Sequence, residues 1–533
     1  MTAKPDYLKA GKAGDIPTRS GRVVYRAFEI LPGALAWVTI VGIFAASRFT
    51  PVAASLFIIA FDIYWLFKTV FLSLHLRAGY YQMQRHLASD WMAKLRELAP
   101  EQYCRELGVN SWSDIHHLVI LPFYHEPYEV IRHGLDAIAE SSYPREKLIV
   151  ILAVEERAGV AALEIARRLE REFAPLFFRF LVTLHPEGIP GELPGKGANE
   201  TWAARQATSE VVDAGRLPHE RVLVSSLDID TILPKDYFAI LTYHYLTAEH
   251  PLRSSYQPIP VYNNNIWAAP AFSRVVAVSG TFWQTMQQSR PERLATFSSH
   301  SMPLRALVEM NFWNTNIVSE DSRIFWQSLL FYDGDYRVVP LYYPVYMDAN
   351  AAPTIWQTAI YVYKQQRRWG WGVENVPYLL FGFLQNRQIP FRRKLYFSFN
   401  QLEGFWSWGT NALIIFFLGW LPVLIGSQEF NTTVLAYNLP RLTRWIMTLA
   451  MVGLVTSAYI STRLLPPRPS GHPIRQWAWM VLQWLLLPVT ILIFGSIPGL
   501  EAQTRLVFGR YMSFWVTPKF RRTLKTGHDE VPA

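Results

Sequence analysis

Val222-Leu223-Val224-Ser225-Ser226-Leu227-Asp228-Ile229-Asp230 decides how this chain reads. An apolar run ends on two carboxylates set at alternate positions, which an extended backbone presents on the same side. Three similar runs lie upstream: Leu118-Val119-Ile120-Leu121-Pro122, Leu148-Ile149-Val150-Ile151-Leu152-Ala153-Val154, and residues 178–184. Helical patterns follow them at 129–140, 159–173 and 197–207. Continuous apolar strands separated by amphipathic helices predict a mainly parallel sheet covered by helices on both faces. Ligands of such sheets gather at the carboxyl ends of the strands, and Asp228 and Asp230 stand at such an end.

Long apolar runs flank this central block, which spans 76–354. Residues 28–46 and 52–72 can each cross a bilayer and are separated by Arg48 and Pro51, a tight hairpin (28–75). The basic segment 1–27 and the flank Lys68…His75-Leu76-Arg77 place both ends of the hairpin, and hence the central block, in the cytosol. The N-terminus has no short apolar core with a small-residue cleavage site, so no cleaved signal peptide is expected. Residues 355–400 are aromatic and interleaved with Lys and Arg, a pattern for helices lying in the membrane interface. Two spans are expected within 401–500, at 405–424 and 445–460, with Arg463, Arg468 and Arg475 marking a cytosolic loop. The last run, 477–497, holds Pro488. As a simple span it would put the C-terminus outside, against the strongly basic Lys519-Phe520-Arg521-Arg522-Thr523-Leu524-Lys525 in the tail 501–533. Charge outweighs parity, so 477–497 is expected to be broken, re-entrant or interfacial.

Bulk composition agrees. Hydrophobic residues make up 50% of the 533, including 20 Trp, 26 Tyr and 32 Phe, and only 17% are charged. Soluble domains carry about a quarter charged residues. The single cysteine, Cys104, excludes an internal disulfide framework and a Cys-based zinc site. The net charge of +9 sits mainly in termini and juxtamembrane loops, which reads as anchoring against anionic lipid and not as a nucleic-acid surface.

Three clusters carry chemistry. Asp228 and Asp230 can hold one Mg2+ or Mn2+ together with substrate phosphates, or else serve as caps or surface acids. Glu320 and Asp321 open a helical segment, where a carboxylate could act as a base or simply cap the helix. Gln365-x-x-Arg368-Trp369 combines an amide, a fork that suits diphosphate and a ring that can stack on a sugar; membrane-interface Trp/Arg clusters look the same.

In this order the clusters resemble the membrane-integrated family 2 glycosyltransferases, which include bacterial cellulose and hyaluronan synthases. The resemblance runs from about Leu118 to Lys519. It implies a GT-A domain inserted between transmembrane helices of the bacterial inner membrane. The aspartates matching Asp228 and Asp230 bind metal and diphosphate in that family, and the carboxylate matching Asp321 is the base. Gln365, Arg368 and Trp369 match the Q-x-x-R-W signature at acceptor and pyrophosphate. Pro122-Phe123-Tyr124-His125-Glu126 resembles the first-strand P-x-x-N-E, so Glu126 becomes a donor-site candidate. Lys196-Gly197-Ala198-Asn199 resembles an element whose Lys contacts the nucleotide. Phe514-Trp515-Val516-Thr517-Pro518-Lys519 fits the F-x-V-T-x-K loop that closes over the donor, which adds Thr517 and Lys519.

The implied activity is processive, inverting elongation of a glycan acceptor from a nucleotide diphosphate sugar, expected to be a UDP-sugar, coupled to export among membrane lipids. An export partner has no residue to speak for it. Transfer of one sugar to polyprenyl phosphate or another lipid is the alternative, and the C-terminal loop motif argues against it. A transporter or scaffold would expect intramembrane charges, and the expected spans hold hardly any, Asp62 being the clearest exception. The sequence also departs from the family. The place of the usual Asp-Asp or Asp-Gly pair reads Ala153-Val154-Glu155-Glu156-Arg157, leaving Glu155 to contact the nucleotide base. No G-x-x-x-x-x-R lies between Gly280 and Ser319, and no cyclic-dinucleotide-sensing domain is expected after the tail.

Overall fold

The computed structural model describes residues 6–450, 452–467 and 474–520. Arg468, the basic stretch from Arg521 onward, and the middle of the expected span 445–460 at residue 451 lie outside the described residues. Seven strands form one sheet: β1 (His116–Phe123), β2 (Leu148–Glu155), β3 (Arg179–His185), β4 (Val222–Ser226), β5 (Ser254–Tyr262), β6 (Ser301–Pro303) and β7 (Arg337–Met347). Their order is β3-β2-β1-β4-β6-β5-β7. β1 runs parallel to β2 and β4, β2 to β3, and β5 to β7, whereas β6 is antiparallel to both neighbours.

The mainly parallel sheet expected from the sequence is therefore present, with boundaries moved by a residue or two. β5 to β7 escape the sequence reading for a physical reason. Pro258 and Pro260 interrupt the ladder pattern of β5, and β6 is only three residues long. Both faces are buried, and the side chains alternate between two cores. Val119, Leu121 and Phe123 of β1 join Val150, Leu152 and Val154 of β2 on one face, under the helices Tyr128–Ala139, Gly159–Phe173 and Tyr237–Thr247. Leu118 and Ile120 join Ile149 and Ile151 on the other, under Lys196–Ala207 and Glu320–Phe331.

Among the described residues three helices are long and apolar enough to cross a membrane: Arg19–Phe49, Pro51–Leu87 and Ala478–Val507. The pair Phe391–Phe416 and Leu418–Ile425, bent by 48°, makes a fourth if it counts as one span. Thr50 alone separates the first two. Pro51–Leu87 runs well past its expected end at 72, and its Leu76, Tyr80 and Met83 join Ile259 and Val261 of β5 in one core. This long helix is thereby welded to the sheet.

The expected break at Pro488 takes the form of changes in winding, not of a broken helix. A 3-10 turn at Gln483–Leu486 precedes it and a wider π turn at Leu492–Ser496 follows. Along its length this helix touches the sheet-flanking helix Ala271–Gln288, through Arg274 on Gln483 at 2.6 Å and Phe272 stacked on Phe494. Near its far end, Arg26 donates to the Leu506 carbonyl at 2.8 Å.

Within 355–400 the helices differ. Ile355–Gly370 exposes Ile355, Trp356 and Ile360. Asn375–Gln385 instead buries Tyr378, Leu379 and Phe383 in the second core, because its apolar residues face the α/β unit.

Candidate active site

The site assembles at the carboxyl ends of the strands. Asp228 and Asp230 follow β4, Glu126 follows β1, Glu155 ends β2 and Asp348 follows β7. The turn after Asp230 is pinned to β7 by paired backbone hydrogen bonds between Ile232 and Tyr346, at 2.8 and 3.0 Å. That pairing carries Asp348 to Asp230, and the Asp348 backbone N–H donates to Asp230 Oδ2 at 2.9 Å.

Lys196, at the start of its helix, joins two of the three chemical clusters. Its Nζ donates to Asp228 Oδ1 at 2.8 Å and to Asp321 Oδ1 and Oδ2 at 2.9 and 3.0 Å. Ser298 Oγ donates to the second Asp228 oxygen at 2.7 Å. Burial pushes the Asp228 carboxyl up, but the Lys196 and Lys519 ammonium groups overcome this and hold it well below the usual range. Burial pushes the Lys196 ammonium down, yet Asp228, Asp321 and Glu200 raise it well above an ordinary lysine. The lysine is therefore a fixed cation between two acids.

Lys519 plays the same part for Asp230, its Nζ donating to Oδ2 at 2.7 Å. Asp230 is fully buried, and its Oδ1 has no hydrogen-bond partner. Burial, reinforced by Asp348 and Asp228 and opposed by Lys519, pushes its carboxyl up. Glu126 lies close by. Its Oε2 accepts from the Tyr124 and His125 N–H groups at 2.9 and 3.1 Å, and burial pushes its carboxyl up.

The remaining candidates sort by placement. Ser319 caps the helix Glu320–Phe331 without a side-chain bond, while Asp321 faces Lys196 and Glu320 turns inward. Glu320 is 2% exposed beneath Gly197, and burial together with Asp321 raises its carboxyl well above normal. Glu155 is paired with Arg157 at 2.5 and 3.0 Å, beside a cavity lined by His185, Glu187 and Glu192. Gln365 and Trp369 line a second cavity with Asp348 and Tyr262. Arg368 leans on the Phe514 ring, 5.0 Å from its centroid, and its buried Nε has no partner.

Residues 510–520 form a strap across the site. Phe514 packs on Gly195, Trp515 on Tyr361, and the Thr517 hydroxyl is buried without a partner. Glu29 anchors the start of the strap by accepting from Tyr511 Oη at 2.9 and 3.0 Å.

Sequence reasoning misses several contributors. Glu200 lies one helical turn beyond Lys196, a spacing that could have flagged it. Ser298 and Asp348 lie in loops with no local signal. Glu374 also escapes notice. Its Oε1 accepts from Val318 N, Ser319 N and Ser319 Oγ at 3.0, 2.8 and 2.7 Å, and its Oε2 accepts from Trp371 Nε1 at 2.8 Å. It clamps the loop before Asp321 to the segment after Trp369.

Among the described residues no group of three His, Cys, Asp or Glu side chains is arranged as a metal site. The donor set is nonetheless the right one for a hard divalent cation. Asp228 and Asp230 offer carboxylate oxygens, and the buried Asp230 Oδ1 has no hydrogen-bond partner of its own.

No family model and no curated protein sequence matches the chain. Solved structures similar to it include the mannosyltransferase PcManGT from Pyrobaculum calidifontis in complex with GDP-Man and Mn2+. That match has 15% identity and a TM-score of 0.41, covering 85% of this chain and 99% of that one. They also include S. aureus TarS 1-349 in complex with UDP-GlcNAc, at 12% identity and a TM-score of 0.35, covering 67% of this chain and 98% of that one.

Proposed function

We propose that this chain is a membrane-bound, inverting family 2 glycosyltransferase whose GT-A unit elongates a glycan from a nucleotide diphosphate sugar. The observation that carries the reading is the pairing of Lys196 with Asp228 and Asp321, and of Lys519 with Asp230. Two cations with two aspartates that can hold a metal make a receptor for a diphosphate, and the third aspartate lies beside it.

Mg2+ or Mn2+ held by Asp230 and Asp228 would neutralise charge on the departing diphosphate. Lys196, Lys519 and the unpaired Arg368 Nε supply further fixed positive charge where the leaving group develops its negative charge. An incoming diphosphate competes with Asp321 for Lys196, which frees the Asp321 carboxylate to accept a proton. The acceptor hydroxyl gives that proton to Asp321, its oxygen bonds to C1 from the opposite face, and the C1–O bond to the diphosphate breaks. Trp369 and Gln365 face the acceptor. Glu126, Glu155 and Thr517 belong to the nucleotide side, and closure of the strap over the donor excludes water. The chain works with its α/β unit in the cytosol, and the polymer passes between the spans.

Purified full-length protein in nanodiscs, given radiolabelled UDP- and GDP-sugars with Mn2+, tests this beside Asp321→Asn. Long, glycosidase-sensitive product lost in the variant supports elongation. A one-sugar lipid product replaces elongation with single transfer. Absence of both donor turnover and nucleotide binding overturns the reading.

A further inference from the structure

Residues 6–16 form an arm ahead of the first long helix, and it lies against the loop that leads to Asp321. Asn314 Nδ2 and Tyr378 Oη both donate to the Leu8 carbonyl at 3.1 Å, and Asn316 Nδ2 donates to the Lys9 carbonyl at 2.9 Å. Arg323 Nη1 donates to the Ala10 carbonyl at 3.1 Å. This arginine stands two residues after Asp321, is fully buried, and also holds Asn375 Oδ1 at 2.5 Å and the Glu374 carbonyl at 3.1 Å. Leu8, Ala10, Ala13 and Ile16 are buried, so the arm has an apolar seat as well as a polar one. At Gly11 the approach is close, since a Cβ there would lie 2.7 Å from the Asn316 carbonyl oxygen.

The other end of the arm meets the strap through one carboxylate. Glu29 is 1% exposed, and its Oε1 accepts from the Ala13 N–H at 3.0 Å. The Tyr511 hydroxyl at the start of the strap lies 3.0 and 2.9 Å from the two Glu29 oxygens. Arg26 pairs with Glu29 at 2.6 Å and donates to the Leu506 and Val507 carbonyls, where the last long helix gives way to the strap. Bonds of this kind, charge-assisted and shielded from water, are strong when complete and costly when one partner is withdrawn.

We propose that Glu29 is a positioning residue through which the seating of the strap, and with it Lys519, depends on the arm. One segment of chain then sets the loop before Asp321 and the strap together. The consequence for catalysis rests on the sugar-transfer reading above; the coupling itself does not.

The test is hydrogen exchange on the full-length protein in nanodiscs, with donor kinetics beside it. Gly11→Ala forces the arm off Asn316, whereas Tyr511→Phe cuts the strap from Glu29 and keeps the ring that packs on Trp371. Tyr511→Phe should speed exchange in residues 510–519 by about fivefold or more and leave 313–319 within about twofold. Gly11→Ala should speed both segments. The double variant should exchange in the strap no faster than the faster single variant, and should lose no more than the single variants' drop of about tenfold in kcat/KM, because both changes act through one link. Asn316→Ala gives the same comparison if Gly11→Ala does not fold. Strap exchange unchanged in Gly11→Ala, effects that multiply in the double variant, or a uniform rise that includes β1 and β2 would each overturn the proposal. Coupled exchange in a protein that neither turns over nor binds a nucleotide sugar would keep the coupling and sink the transfer reading.

Discussion

Lys519 Nζ sits 2.7 Å from Asp230 Oδ2, joining residues 289 positions apart. The end of the described chain thus reaches the carboxylate at the centre of the site. Removing the lysine leaves Asp230 buried with no cation, and the strap without its charged anchor. Lys519→Ala is expected to lower kcat/KM by about 100-fold, the scale of losing one preorganised positive group at a developing anion. Steady-state kinetics with varied donor check this, and a variant within threefold of wild type contradicts it.

The strap also needs Gly195. Its φ of +155° suits glycine, and a Cβ placed there would lie 2.7 Å from the Phe514 side chain. Gly195→Ala should push the strap off its seat and reproduce the kinetic loss of Lys519→Ala, about 100-fold for a displacement of about 1 Å. Limited proteolysis gives an independent readout, since residues 510–520 should be cut faster in the variant.

Glu374 positions the proposed base from a distance. Glu374→Ala strands four donors, two of them backbone N–H groups next to the Asp321 helix. The expected result is a kcat lower by about 10- to 100-fold through loss of alignment. Nucleotide KM should change less than twofold, because Glu374 has no bond to Lys196 or Asp228. A loss confined to KM would refute the positioning role.

Two buried histidines contribute to the acid sensitivity of the α/β unit. Burial pushes His117 down to about 3 and His244 down to about 4. Both stay neutral in the folded protein, whereas the unfolded chain takes up protons below about pH 6.5. Their contribution is present above that pH and is lost as pH falls toward 4, by at most roughly 3 kcal/mol per histidine. Thermal unfolding at pH 7 and pH 5 should show the drop, and His117→Asn should flatten it. Equal acid sensitivity in the variant would assign the effect elsewhere.

What the sequence could reveal was whatever is local. An apolar run such as Leu148–Glu155 reads as a buried strand because each residue meets core on one face or the other, and that demand is written at every position. Asp228 and Asp230 are legible for the same reason, since the end of a strand and the spacing of two acids are both short-range features. β5 was hidden because its prolines break the ladder pattern that local reading relies on.

The sequence by itself determined the parallel strands β1 to β4, the flanking apolar helices and the candidate residues for the proposed chemistry. Only the tertiary structure decided which of them meet. Lys196 finds Asp228 and Asp321 at separations of 32 and 125 residues, and Asp348 is brought to Asp230 by the pairing of Tyr346 with Ile232. It also decided that Glu320 turns inward while its neighbour Asp321 faces Lys196. The physical reason is that composition and periodicity record how a residue meets its local environment, solvent or core. Ion pairs across the sheet depend on which distant segments the packing brings within hydrogen-bond reach.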